Sequence, residues 1–262
     1  MLVKECLDVL LPIITRIINQ SFATAYFPKA LKVAAVTPIL KKANLIAEIL
    51  KNFRPISNLP YHGKILEKAA SKQLIKHKGV HRVREKMQSA YREYHSTETA
   101  LLQIHNDLIL SRNKKQCIFM IALDLSAAFD TVNHDKLLQR LHTTFGIRGN
   151  AHTWIKSYLT DRKQFVTING ARSEEQDKTC DVPLGSILGP NLYEDYTACP
   201  LGAIFRKHGI LYHMYADDTQ AYLPFPVNQE DTSLERLTVC LHEVRQWMAA
   251  NWLKLNDSKT EF

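Results

Sequence analysis

The chain has 262 residues, 45% of them hydrophobic and 23% charged, with a formal net charge of +8. This is the balance of a soluble globular protein with a substantial core, as one large domain or two coupled subdomains, and no apolar run is long enough to suggest a membrane span. Five cysteines, Cys6, Cys117, Cys180, Cys199 and Cys240, are widely spaced and odd in number, which argues against a disulfide framework and for a reduced, intracellular protein.

In chain order, "CLDVLLPIITRII" is interrupted by Asp8, Pro12 and Arg16 and reads as an amphipathic helix rather than a signal peptide or span. Residues 29–92 then hold 15 Lys or Arg against 3 Asp or Glu, while residues 93–262 hold 17 against 21. A strongly basic segment followed by a mildly acidic one suits a polyanion gripped by one part of the chain while acidic chemistry proceeds in another. Within the basic segment "AAVTPIL" reads as a strand ending at Lys41 and Lys42. "YHGKILEKAASKQLIKH" reads as a helix with Lys64, Lys68, Lys72 and Lys76 on one face. His77 and His81 have a zinc-like spacing, but no cysteine pair stands near them.

A helix is expected from Ser96 to about Leu110, capped around "STET". "CIFMIALDL" follows as a strand buried on both faces, ending in Asp124. Two helices are expected next, one carrying Leu137, Leu138 and Leu141 and closing at Gly146, the other carrying Trp154, Ile155, Tyr158 and Leu159. Asp130, just upstream of the first, is a further carboxylate candidate for metal binding, with capping that helix as its expected job. "QFVTING" reads as a strand entering a turn at Asn169-Gly170, and "VPLGSILGP" as a loop before another helix. "ILYHMYADDTQAYLPF" alternates on both sides of Asp217-Asp218, as a hairpin would. A last helix is expected to open with a capping box at Thr232 and Glu235 and to bury Leu234, Leu237, Leu241, Val244 and Met248, before "LKLNDSKTEF" begins a strand. Strands and helices are mixed around a central hairpin, so the expected fold class is α+β.

Three aspartates raise a chemical question. If the strand ending at Asp124 neighbours the hairpin, Asp124, Asp217 and Asp218 converge at one sheet edge, where they repel one another without a cation. Two Mg²⁺ ions held by carboxylates are the usual answer in phosphoryl transfer.

The stretches "FRPISNLPYHGKILEK", "QSAYREYHSTETALL", "ALDLSAAFDTVNHDKLLQRL", "VPLGSILGP", "YADDTQ" and "NWLKLNDSKTEF" resemble, in order, the reverse transcriptase domain of non-LTR (LINE-type) retrotransposons. The resemblance runs from about residue 30 to the last residue. It implies a right-hand polymerase: a helical lead-in at 1–28, fingers at 29–116, and a palm at 117–262 made of an antiparallel sheet backed by helices. The thumb, the primer-grip hairpin and an endonuclease are expected on a longer parent polyprotein.

The implied activity is RNA-directed DNA synthesis on an RNA template from a DNA primer with dNTPs, inside the cell (nucleus or cytoplasm) and away from membranes. The alternative is an inactive remnant that binds nucleic acid. By resemblance Asp124, Asp217 and Asp218 hold two Mg²⁺ (or Mn²⁺), with the Leu125 carbonyl as an accessory ligand. Phe129 lies beneath the incoming sugar and rejects a 2′-hydroxyl. Lys41, Lys42 and Arg54 grip the triphosphate, Gly185 lines the nucleotide site, and Lys259 protonates the pyrophosphate. The chain departs from the family pattern at Leu184, where glutamine is usual, and at Asp181, where glycine is common. Asn191, Glu194 and Asp195 replace an apolar helical face, at a cost of roughly 1–3 kcal/mol each if buried unpaired.

Overall fold

The computed structural model describes residues 5–126, 129–256 and 259–260. Their contacts partition into two compact units that interleave along the chain. The first takes residues up to Arg82 together with His134–Gly189, and the second takes Val83–Asn133 together with the chain from Pro190 onward. The strand that opens the expected palm therefore belongs with the residues on its N-terminal side as well as with those that follow.

In the first unit, α1 (Leu7–Ala23) precedes β1 (Val33–Leu40), β2 (Phe53–Asn58) and α2 (Tyr61–His81). After the excursion into the second unit come α4 (His134–Thr143), α5 (Gly149–Leu159), β5 (Arg162–Ile168), β6 (Ala171–Arg172) and β7 (Gln176–Lys178). β1 pairs antiparallel with β2 and parallel with β5, which also carries β6 and β7. Asn169 and Gly170 both have positive φ, at 49° and 84°, and form the hairpin turn their dipeptide announces. The expected helical faces are buried: Leu137, Leu138 and Leu141 on α4, and Trp154, Ile155, Tyr158 and Leu159 on α5. The Trp154 and Tyr158 rings meet Phe27 edge-on at 5.5 and 5.2 Å. Asp130 lies in a turn four residues ahead of α4, too far upstream to cap it. α1 forms as expected, but Val9, Leu11, Ile13 and Ile17 are exposed.

In the second unit, α3 (Thr97–Asn113) opens on a full capping box. The Ser96 hydroxyl accepts from the Thr99 N–H, and the Thr99 hydroxyl accepts from the Ser96 N–H. Next come β3 (Gln116–Leu123), β4 (Leu125–Ser126), α6 (Gly189–Lys207), β8 (Leu211–Tyr215), β9 (Asp218–Pro226), α7 (Glu230–Ala250) and β10 (Lys254–Leu255). β3, β9 and β8 make an antiparallel sheet in that order, and β4 pairs with β10. α3 packs on β3 and β8, and α7 on β9.

Two expectations need correction here. β3 is an edge strand with only Ile121 and Leu123 buried and Met120 exposed, because its sheet is antiparallel and covered on one face at this edge. α7 starts at Glu230, two residues before Thr232, and no side chain caps it. Its buried face is Ser233, Leu237, Cys240, Val244 and Met248, leaving Leu234 exposed. A Thr-x-x-Glu pattern inside the first turn mimics the cap it does not form: the Thr232 hydroxyl donates to the Gln229 carbonyl instead.

Candidate active site

The site in the second unit is built on strand ends. The β3–β9 register closes with Leu123 opposite Thr219, so the next residue along each strand is Asp124 and Asp218. β8 and β9 join through a two-residue turn, Ala216-Asp217, between paired Tyr215 and Asp218. Ala216 takes φ of 57°, a left-handed conformation that costs a non-glycine residue about 1–2 kcal/mol, so the turn must be held by its surroundings.

Asp124 and Asp217 are close enough to act electrostatically on Asp218. The Asp218 carboxyl is pushed above the usual carboxylate range by partial burial and by the charges of Asp217 and Asp124, with Lys259 pulling the other way. On the opposite side, β10 leads Asn256 and Lys259 to Asp124. The Asn256 N–H donates to the Asp124 carbonyl at 2.9 Å, its side-chain amide donates to Asp124 Oδ2 at 2.8 Å, and Lys259 Nζ stands 3.3 Å from the same oxygen. Leu125 is buried and paired with Leu255 across β4 and β10. Phe129 stacks on Tyr193 of α6, with ring centroids 4.5 Å apart. Burial and the Asp217 charge push the hydroxyls of Tyr193 and Tyr91 upward, keeping both neutral beside the carboxylates.

The donor set is all oxygen and anionic, which suits a hard divalent cation such as Mg²⁺. Partial burial and the neighbouring carboxylates both disfavour the charged form of Asp218, and a bound cation would offset both. Among the described residues no three Asp, Glu, His or Cys side chains are already gathered closely enough to hold a metal ion. His77, weighed above with His81, donates from Nε2 to the Phe145 carbonyl at 2.7 Å when that nitrogen carries the proton, which ties it to the fold.

The remaining expected residues lie in the first unit. Lys41 and Lys42 follow β1 and are exposed, with Lys41 Nζ donating to the Lys51 carbonyl at 2.8 Å. Arg54 is exposed on β2 opposite Ile39. Gly185 has φ of 109°, and a Cβ there would fall 2.7 Å from the Ser57 carbonyl oxygen, so glycine is required by the close approach of loop 182–188 to β2. The same loop is tied to α2 by Glu67, whose buried carboxylate accepts from the N–H groups of Ile187 and Leu188 at 2.6 and 3.3 Å.

Two of the departures from the family pattern, Glu194 and Asp181, are accommodated by ion pairs. Glu194 is buried, yet it receives both forks of Arg84 at 2.7 and 2.8 Å. Asp181, although burial pushes its carboxyl up, pairs with Lys178 at 2.9 Å. Asn256, Tyr193 and Arg84 escaped the sequence reading. The first sits inside a quoted motif, and the other two have no local pattern that points to their distant partners, Phe129 for Tyr193 and Glu194 for Arg84.

Comparison with known proteins shows the family and the fold. Residues 39–262 match the family described as reverse transcriptase (RNA-dependent DNA polymerase). The RNA-directed DNA polymerase from mobile element jockey of Drosophila melanogaster is 30% identical over 258 residues, covering 96% of this chain and 27% of the relative. The probable RNA-directed DNA polymerase from transposon BS of the same species is 29% identical over 250 residues, covering 93% and 27%. The chain thus spans about a quarter of the length of these relatives. Among solved structures, apo telomerase from Candida tropicalis shares the fold with a TM-score of 0.63 at 12% identity, over 88% of this chain and 44% of that one. Telomerase from Candida albicans in complex with a TWJ fragment of telomeric RNA does so with a TM-score of 0.63 at 13% identity, over 90% and 44%. The chain belongs to the reverse transcriptase (RNA-dependent DNA polymerase) family, with non-LTR retrotransposon polymerases as its relatives.

Proposed function

We propose that this chain is the catalytic part of an RNA-directed DNA polymerase, adding dNTPs to a DNA primer 3′-hydroxyl on an RNA template. The observation that carries the reading is the convergence of Asp124, Asp217 and Asp218 at one sheet end, with the Asp218 carboxyl raised by partial burial and by its neighbours. On this reading the second unit is the palm, while the basic residues of the first belong to the fingers. The notional division at 116/117 marks where the palm strands begin.

Asp124, Asp217 and Asp218 would hold two Mg²⁺ (Mn²⁺ being an alternative), assisted by the Leu125 carbonyl. When bound, the ions supply activation of the attacking hydroxyl and charge stabilisation on the leaving pyrophosphate. Phe129, backed by Tyr193, presents a flat ring beneath the sugar and leaves no room for a 2′-hydroxyl. Lys259, already drawn to the carboxylates, is the proton donor to pyrophosphate. Lys41, Lys42 and Arg54 bind triphosphate oxygens, and Gly185 shapes the nucleotide-facing loop. The exposed Lys68, Lys72 and Lys76 of α2 track a nucleic-acid backbone by charge alone. The parent polypeptide would supply an endonuclease and thumb. The work would be done inside the cell, in nucleus or cytoplasm. Among the described residues no helix is long and apolar enough to cross a membrane.

The test is primer extension on oligo(dT)–poly(rA) with labelled dTTP and Mg²⁺. Incorporation should be lost in Asp124→Asn and in Asp217→Asn, while both variants still bind primer–template. Undiminished incorporation by either variant overturns the reading. Binding without incorporation by the unsubstituted chain would mark a nucleic-acid-binding remnant instead.

A further inference from the structure

The turn that carries Asp217 is held by a residue far from it in sequence. Gln88 is 1% exposed, and its side-chain amide faces the backbone of Ala216. Its Nε2 donates to the Ala216 carbonyl at 3.1 Å, and its Oε1 accepts from the Ala216 N–H at 3.0 Å. The same Oε1 also accepts from the Ala90 N–H at 3.0 Å, which fixes which end of the amide is oxygen. The two bonds to Ala216 pin different peptide units. The N–H belongs to the Tyr215–Ala216 peptide, and the carbonyl to the Ala216–Asp217 peptide. Fixing the second sets the plane from which the Asp217 Cα and its carboxylate project.

Gln88 is itself immobilised. The Met214 N–H donates to the Met87 carbonyl at 2.8 Å and the Ser89 N–H to the Met214 carbonyl at 3.0 Å, so the segment runs beside β8 as a single parallel bridge. Arg92 closes it from below by donating to the Gln88 carbonyl at 2.8 Å. A glutamine amide is the natural choice, because it offers one donor and one acceptor spaced like those of a peptide, with no charge added beside the aspartates.

We propose that Gln88 is a positioning residue for the metal-holding carboxylates: it clamps both peptides of the strained Ala216 turn and so aims Asp217. The proposal rests on the polymerase reading of the site. Outer partners that orient a ligand typically change metal affinity 10–100-fold when removed.

The test titrates Mn²⁺ into the 262-residue chain, following the free ion by EPR, with melting curves on the same samples. The unsubstituted chain should bind Mn²⁺ and Asp217→Asn should not. Gln88→Met, similar in volume and without the amide, should bind at least tenfold more weakly while still melting cooperatively. Gln88→Glu keeps the acceptor and loses only the donor to the Ala216 carbonyl. Its added charge alone would tighten Mn²⁺, so weaker binding there supports aiming and tighter binding overturns it. Ser89→Ala breaks the neighbouring bond to His213 Nε2 at 2.8 Å and should leave Mn²⁺ affinity unchanged. An equal loss in Ser89→Ala, or wild-type affinity in Gln88→Met, overturns the proposal. If the unsubstituted chain shows no Asp217-dependent binding, the polymerase reading falls first and the proposal with it.

Discussion

Removing Arg84 tests whether the acidic face of α6 is a built feature or damage. Glu194 is 3% exposed at its side chain, and Arg84 is 15% exposed. Taking away one partner of a buried ion pair typically costs 3–5 kcal/mol. Some water reaches the guanidinium, so the low end of that range applies, about 3 kcal/mol for Arg84→Met. Arg84 also donates to the Tyr91 carbonyl at 3.1 Å, an exposed bond that adds little. For a chain of this size each kcal/mol moves the midpoint by about 2–4 °C, so a fall of roughly 6–12 °C is expected in thermal melting. The double variant Arg84→Met/Glu194→Leu removes both charges and should recover most of the loss, since apolar replacement of a whole buried pair is often neutral. Calorimetry of the wild type, both single variants and the double variant completes the cycle. A single variant within about 0.5 kcal/mol of wild type, or a double variant no better than Arg84→Met, would refute the reasoning.

Asp218 predicts a pH-dependent trade between stability and function. Its folded-state pKa lies above the unfolded value, so folding retains a proton that the unfolded chain releases. Metal-free stability is therefore undiminished below the unfolded carboxylate range and falls as pH rises through the folded pKa. Asp218→Asn should melt higher than wild type at pH 7 and converge with it near about pH 3, measured by circular dichroism in chelator; a difference that does not vary with pH would count against it. Gly185→Ala forces a Cβ to within 2.7 Å of a backbone oxygen at φ of 109°. It should cost about 1–3 kcal/mol in urea denaturation, and a loss under about 0.5 kcal/mol would show that loop 182–188 yields easily.

What could be read from the sequence was local. Ser96 and Thr99 cap a helix, Asn169-Gly170 turns a hairpin, and Tyr215 to Asp218 brackets a tight bend, because each feature is decided within a few residues. The convergence of Asp124 on the bend was legible too, since a strand ending in aspartate needs only one pairing to reach it. Where the reading went astray, tertiary context overrode a local pattern. β3 looked like an interior strand because its residues are apolar, yet its place in the sheet leaves Met120 exposed. Thr232 and Glu235 looked like a cap because nothing in four residues shows that the helix began two residues earlier. Gln88 and Arg84 were invisible for a simpler reason. Their partners, Ala216 and Glu194, lie 128 and 110 positions along the chain, and only the folded backbone brings them together.

The interleaving of the two units has a consequence for how the protein is made. A ribosome releases residues in order, but the first unit lacks α4, α5 and three of its five strands until residue 189 has emerged. The second needs α7 and β10, close to the last residue described. Neither can complete its core while the nascent chain is short, so Phe27, Leu66 and Ile121 wait exposed for partners that have yet to emerge. Long-range pairing of this kind folds slowly, so the chain is expected to lean on chaperones during synthesis.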